Sequence, residues 1–293
     1  MSEQQSIGII GVGLMGHGIA SNIVKHGHSL TILNHSGNQP VDILLSQGAK
    51  LVDSVAELAK STQVIILCVT GSPQVESIFY QEDGLLANLR EGSIVIDCST
   101  AIPTSTVKLA KAVQAKKAFF IDAPMTRTPK EAAEGRLNLI VGGDEEIFLR
   151  VKPLLNCFAE NIVYAGKVGT GHRLKLIHNF VSLGFTAVLS EAVAAARKAD
   201  IDANVLIDIL DAGGGQGVVL NRMKPYIQSN DDSSFRFALS NAYKDLSYYT
   251  EMTTDNHDYQ VVAEAIKQTF ASCLAEKPAA TLPEIVSLLA QKG

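Results

Sequence analysis

Cysteine is scarce and scattered in this 293-residue chain: Cys68, Cys98, Cys157 and Cys273 show neither close pairing nor metal-like spacing. A disulfide framework is therefore not expected, and the four read as free thiols in a reducing compartment. The seven histidines provide no HxxxH pair with a carboxylate, so no metal site is expected; His26 and His28, on either side of Gly27, read as a turn. Basic excess is missing as well. With 25 Lys and Arg against 30 Asp and Glu, a formal net charge of -5 and no basic run, the chain lacks the footprint of a nucleic-acid or lipid-surface binder. No uninterrupted apolar stretch approaches the roughly 18 residues of a membrane span. The opening MSEQQS has none of the basic, apolar and small-residue series of a secretory signal, and a cytoplasmic protein is expected.

What is present divides into two halves. The first alternates short apolar runs with helical patterns, the mark of a parallel sheet built from βαβ units. Strands are predicted at Ser6 to Ile10, HSLTIL, VIILCV, SIVIDC, KAFFIDA, LNLIVGG and NIVYAG. Helices are predicted at about 15–26, 40–48, 54–60, 74–79, 103–115 and 144–156. After Gly166 only helical patterns remain, at about 174–199, 202–212, 217–228, 238–255, 258–275 and 281–291. The expected fold is thus α/β, a doubly wound parallel sheet of Rossmann type over residues 1–166, followed by an all-helical domain over 167–293 that serves substrate and oligomerisation. The length suits two domains, and no internal repeat or low-complexity tract interrupts them.

The motif GVGLMG, residues 11–16, follows the first strand and opens a helix, which is the context a dinucleotide site requires. Gly11 permits the turn, Gly13 lets backbone approach a pyrophosphate, and Gly16 lets helix pack on strand. Leu14 and Met15 are expected to cover the cofactor through backbone amides and apolar contact. At the end of the second strand, where an acid usually holds the ribose hydroxyls of NAD, stand Asn34, His35 and Ser36. Their lack of negative charge leans the choice between NADH and NADPH towards NADPH.

The segment LKLIHNFVSLGFTAVLS, residues 174–190, is apolar except where Lys175, His178, Asn179 and Ser182 recur at helical spacing, with Thr186 and Ser190 continuing the stripe. An ammonium in such surroundings is costly unless paired or used. The plain alternative is a lysine whose stem lies on apolar surface while its charge reaches water.

Taken with DCST at 97–100, DAPMTRTPKEAAEGRLNLIVGG at 122–143, GxGxxxKLIHN at 169–179 and KDL at 244–246, the chain resembles the β-hydroxyacid dehydrogenases over nearly its full length. That group includes 3-hydroxyisobutyrate dehydrogenase, tartronate semialdehyde reductase, sulfolactaldehyde reductase and succinic semialdehyde reductases. The resemblance implies a Rossmann domain followed by a helical one, with dimers or tetramers common. It implies Lys175 as general acid and base, with Asn179 holding amine and substrate oxygen in register. It also implies Val69, Thr70, Thr100 and Lys244 as cofactor contacts.

After DAP, where most of the family has a serine and two glycines that grip a carboxylate, this chain has Thr126, Arg127 and Thr128. An arginine fork suits a carboxylate, sulfonate or phosphate. Sulfolactaldehyde reductase resembles the chain here and at Ser182, but has asparagine where this chain has His178. The substrate pocket is thus expected from Thr126, Arg127, Thr128, His178 and Ser182, although Arg127 could instead pair with Glu131 or Glu134. The expected activity is NAD(P)H-dependent interconversion of a small anionic 3-oxo acid and its 3-hydroxy acid, possibilities being a sulfolactaldehyde-like substrate, 3-hydroxyisobutyrate or tartronate semialdehyde. A non-catalytic nucleotide-binding interaction protein is the competing class, against which Lys175 and Asn179 argue. The glycines of DAGGGQG, at 213–215 and 217, fit either an anion site or a simple connection between helices.

Overall fold

The computed structural model describes residues 5–292; Met1 to Gln4, most of the polar opening segment, and Gly293 lie outside them. The chain divides after Lys175 into two compact units.

In the first unit, nine strands alternate with helices: β1 (Ser6–Ile10), β2 (Ser29–Leu33), β3 (Lys50–Val52), β4 (Val64–Leu67), β5 (Ile94–Asp97), β6 (Phe119–Asp122), β7 (Met125–Thr126), β8 (Leu137–Gly142) and β9 (Ala159–Gly166). Their order in the sheet is β3-β2-β1-β4-β5-β6-β8-β7, with β9 on β8. The pairs from β3 through β6 are parallel, as the βαβ pattern predicts. The far end differs: β8 runs antiparallel to β6 and β7, and β9 parallel to β8. Central strands read as unbroken apolar runs because helices cover both faces. Alternation then deals their side chains to two cores, Val64, Ile66, Ile94 and Ile96 to one and Ile65, Leu67 and Val95 to the other.

The helices of this unit are α1 (Leu14–Lys25), α2 (Asp42–Ser46), α3 (Val55–Ser61), α4 (Ser72–Tyr80), α5 (Leu85–Asn88), α6 (Pro103–Ala115), α7 (Pro129–Ala133) and α8 (Glu145–Leu155). The helix expected over 40–48 is cut to α2. The edge strand β3 and the short elements α5, α7 and β7 have no counterpart in the sequence reading, being too short for periodicity to register. His26 caps α1 and Gly27, at φ +83°, makes the expected turn into β2.

The helix α9 (Thr170–Lys198) begins in the first unit and runs on as the long helix of the second, followed by α10 (Ala203–Asp211), α11 (Val218–Ser229), α12 (Leu239–Asn256), α13 (Val261–Glu276) and α14 (Ile285–Gln291). Length and composition alone would let α9 cross a bilayer. Its Leu183 and Ala187 instead pack with Leu246, Ile266 and Phe270, and its Leu189 and Val193 with Leu220 and Met223, so it is the core helix of this unit. Near its end, Arg197 donates to the carbonyls of Tyr226 and Ile227, satisfying the last turn of α11. Phe235 and Phe237 join the helical core, and the glycines 213–215 and 217 connect α10 to α11.

Candidate active site

The three motif glycines separate by what surrounds them. A Cβ on Gly11 would lie 2.3 Å from the Cys68 carbonyl oxygen, and its φ of +95° already favours glycine. At Gly16 it would lie 2.0 Å from the Gly11 carbonyl oxygen. Gly13 is different, since a Cβ there meets nothing within 4 Å. It is also the N-cap of α1 and has no side chain of its own with which to satisfy the first amides. Two glycines therefore shape the turn, and the third leaves open the space before a helix N-terminus, where N–H groups and the dipole favour a phosphate. Leu14, exposed, and Met15, half-buried, flank that opening. The residues present fit a dinucleotide.

At the far end of the glycine turn, the Val12 N–H donates to Asn38 Oδ1 while Asn38 Nδ2 donates to the Leu33 carbonyl, tying the loop to β2. Asn34 Nδ2 donates to Asp53 Oδ1 at 2.9 Å. A carboxylate thus stands beside the end of β2, delivered by the end of β3. His35 Nδ1 accepts from the Gly37 N–H at 3.0 Å, so that nitrogen is unprotonated in this arrangement. Ser36 is exposed beside it.

The loops after β4 and β5 are laced together, the Val69 N–H donating to Ser99 Oγ and the Ile102 N–H to Ser72 Oγ. This places Val69, Thr70 and Thr100 at the same, C-terminal, edge of the sheet as the glycine turn. Beneath them burial, with Asp97 close by, pushes the Cys68 thiol up to about 12, and burial raises Cys98 well above its ordinary value. Neither is a reactive thiolate.

Asp122, at the end of β6 and fully buried, accepts from the N–H groups of Gly169 at 2.7 Å and His172 at 2.8 Å. It therefore holds the first turn of α9, with His172 three residues before Lys175. Burial raises its pKa, opposed by His172 and the two N–H groups. His172 is itself buried, with Nδ1 2.7 Å from Thr106 Oγ1 and Nε2 3.0 Å from the Ser99 carbonyl. A Cβ on Gly171 would come 2.4 Å from the Ile140 carbonyl oxygen, which accounts for the second glycine of GxGxxxK. In the sequence, Asp122 and His172 lie inside motifs, and no local pattern assigns either a role.

Thr126 Oγ1 accepts from Asn138 Nδ2 at 3.1 Å across the β7–β8 pair. Arg127 keeps a left-handed backbone, φ +83°, the conformation that favours glycine. Its guanidinium pairs with Glu160 on β9 and donates to the Arg136 carbonyl, and it holds the Glu160 carboxyl below the usual range. The carboxylate partner is thus neither Glu131 nor Glu134. Thr128 is the N-cap of α7 in a capping box with Glu131, whose carboxylate takes both its N–H and its hydroxyl. Below, α7 sits on α1: Asn22 Nδ2 donates to the Ala132 carbonyl at 3.0 Å, and a Cβ on Gly18 would lie 2.5 Å from the Ala132 carbonyl carbon.

Along α9, Lys175 and Ser182 are half-buried, His178 is exposed and Asn179 is buried. Thr186 is buried and donates to the Ser182 carbonyl, whereas the Ser190 hydroxyl is buried with no hydrogen-bond partner. Asn179 Nδ2 donates to Asp245 Oδ2 at 2.6 Å. Lys244 Nζ lies 3.1 Å from Asp245 Oδ1, a charge contact without hydrogen-bond alignment. Asp245 is a functional partner marked in the sequence by nothing beyond its place in KDL. Among the described residues, no cluster of three or more His, Cys, Asp or Glu side chains is placed to hold a metal.

A glycine turn open at a helix N-terminus, in a sheet of this order, defines a dinucleotide-binding fold. The comparisons agree. Residues 6–166 match the NAD binding domain of 6-phosphogluconate dehydrogenase, and residues 169–287 the NAD-binding domain of NADP-dependent 3-hydroxyisobutyrate dehydrogenase. The 3-hydroxyisobutyrate dehydrogenase of Pseudomonas aeruginosa is 33% identical over 75% of this chain and 74% of its own. The 3-sulfolactaldehyde reductase of Escherichia coli is 29% identical over 92% and 90%. The crystal structure of a 3-hydroxyisobutyrate dehydrogenase from Salmonella typhimurium superposes with a TM-score of 0.83 at 25% identity, over 97% of this chain and 99% of that one. The chain belongs to the NAD(P)-dependent β-hydroxyacid dehydrogenase family, enzymes acting on CH–OH groups.

Proposed function

We propose that the enzyme interconverts a small anionic semialdehyde and the corresponding 3-hydroxy acid, with Lys175 as the general acid and base. The observation that carries this is the placement of Lys175 one turn before Asn179 on α9, with that asparagine locked in orientation by Asp245. Bound NAD(P)H supplies the hydride. The Lys175 ammonium stabilises the oxyanion that forms on the former carbonyl oxygen and gives it a proton; in oxidation the amine takes the proton back. Asn179 has a second N–H beyond the one given to Asp245, and orients the same oxygen. Gly13, Leu14 and Met15 receive the pyrophosphate on the turn that Gly11 and Gly16 shape, Asn34, His35 and Ser36 the adenosine ribose, and Val69, Thr70, Thr100 and Lys244 the nicotinamide side. The lean towards NADPH rests on Asn34, and the Asp53 carboxylate beside it counteracts that lean.

The anionic tail falls to Thr126, Arg127, Thr128, His178 and Ser182. The Arg127 pairing with Glu160 and the capping role of Thr128 favour a second reading, in which the tail is a carboxylate held without these two side chains, as for 3-hydroxyisobutyrate or tartronate semialdehyde. A homodimer or homotetramer fits the exposed Val181, Val188, Val205 and Ile209 on α9 and α10. A cytoplasmic site fits the four free thiols. Absorbance of the reduced cofactor, followed with semialdehydes bearing a carboxylate, sulfonate or phosphate, tests the proposal. Turnover that is lost in Lys175→Ala but retained in Arg127→Gly with a carboxylate substrate selects the second reading, and no turnover of any of them rejects both.

A further inference from the structure

In the helical unit a line of polar groups runs from α12 to α9. Lys244 Nζ, which also lies 5.2 Å from the centre of the Tyr248 ring, stands against one oxygen of Asp245. The other Asp245 oxygen accepts from Asn179 Nδ2, and Asn179 Oδ1 lies 3.0 Å from His178 Nδ1. Asp245 is 4% exposed and Asn179 8%, so water cannot readily replace either partner. Each atom in the line follows from the first. A carboxylate only accepts, so Asn179 must turn its NH2 towards Asp245. The amide is planar and two-sided, which leaves its oxygen towards His178. An amide oxygen cannot donate, so the proton between them sits on the imidazole.

We propose that Asp245 is a positioning residue that fixes the orientation of the Asn179 amide and, through it, holds the proton of neutral His178 on Nδ1. His178 is then left with an unprotonated Nε2. Neutral, the ring can accept there from a hydroxyl or from water, and it can offer no N–H to an anion; only the imidazolium can. On the reading of His178 as a substrate contact, an anionic tail at Nε2 therefore requires the imidazolium, and its binding takes up a proton. An asparagine at this position would offer an N–H at every pH.

The test is the tautomer itself, read by long-range 1H–15N correlation on 15N-histidine-labelled protein above the imidazole titration, with His178→Asn identifying the resonance by its loss. The expected result is Nδ1–H for His178 in the native protein. In Asp245→Asn the amide pair can reverse, and the proton moves wholly or in part to Nε2. Asn179→Ala removes the accepting oxygen and releases the proton in the same way if the first variant does not fold. Nε2–H in the native protein, or Nδ1–H unchanged in a folded variant, overturns the proposal. The measurement needs neither substrate nor cofactor, so its failure is separate from failure to find turnover.

Discussion

Replacement of Gly13 by alanine separates a ligand-facing glycine from structural ones. A Cβ at this position meets no protein atom within 4 Å, and its φ of -75° and ψ of -159° are ordinary for alanine. The fold should hardly notice: alanine in place of glycine as N-cap loses a few tenths of a kcal/mol to about 1 kcal/mol. The methyl group does occupy the space before the α1 N-terminus. A phosphate forced back by it loses one or two charge-assisted hydrogen bonds, each worth about 1.5–3 kcal/mol, so cofactor affinity should fall roughly 10- to 1,000-fold or more. Titration of cofactor fluorescence gives the dissociation constant and thermal unfolding gives stability. Gly16→Ala is the contrast: its Cβ would overlap the Gly11 carbonyl oxygen at 2.0 Å, so it should lower stability by about 1–3 kcal/mol or prevent folding. Unchanged cofactor affinity in a folded Gly13→Ala protein would refute the placement of the pyrophosphate.

Four further outcomes are expected. Asn34→Asp should weaken NADPH binding and spare NADH, while Asp53→Asn should strengthen NADPH relative to NADH; equal effects on both cofactors in a binding titration would remove the adenosine end from this region. Arg127→Gly relieves a left-handed backbone but breaks the pairing with Glu160, and should raise KM for an anionic aldehyde far more than for an uncharged one if Arg127 reaches the substrate. Gly18→Ala pushes α7 off α1, so unfolding measurements should show a loss of about 1–3 kcal/mol, and kcat/KM should fall by up to about 100-fold through displacement of the Thr126 to Thr128 turn. Glu131 titrates below its ordinary value, chiefly through the Thr128 hydroxyl, so its folded pKa lies below its unfolded one. Its contribution is present above the unfolded pKa and lost as pH falls through the folded one, and Glu131→Gln should flatten that part of the acid-unfolding curve.

Much of the fold and part of the site are legible from local pattern. Unbroken apolar strands and helical periodicity mark a stretch of sheet followed by a stretch of helices. GVGLMG declares a phosphate-binding turn because its glycines are needed within one strand-to-helix connection. Lys175 and Asn179 declare a shared helix face because four residues are about one turn. These are relations between neighbours in the chain, which backbone geometry alone enforces.

What holds each of those groups in place joins residues far apart. Asp53 reaches Asn34 over 19 positions, Glu160 reaches Arg127 over 33, Asp122 reaches Gly169 over 47 and Asp245 reaches Asn179 over 66. No periodicity records such pairs, since each forms only where packing brings two strand ends or two helix faces together. The amino-acid sequence determined that a lysine and an asparagine would stand one above the other on the helix that follows a dinucleotide-binding pattern. Tertiary packing decided which carboxylate orients the asparagine and which one engages the arginine, because a polar group taken from water must find whatever partner the fold places within hydrogen-bond reach.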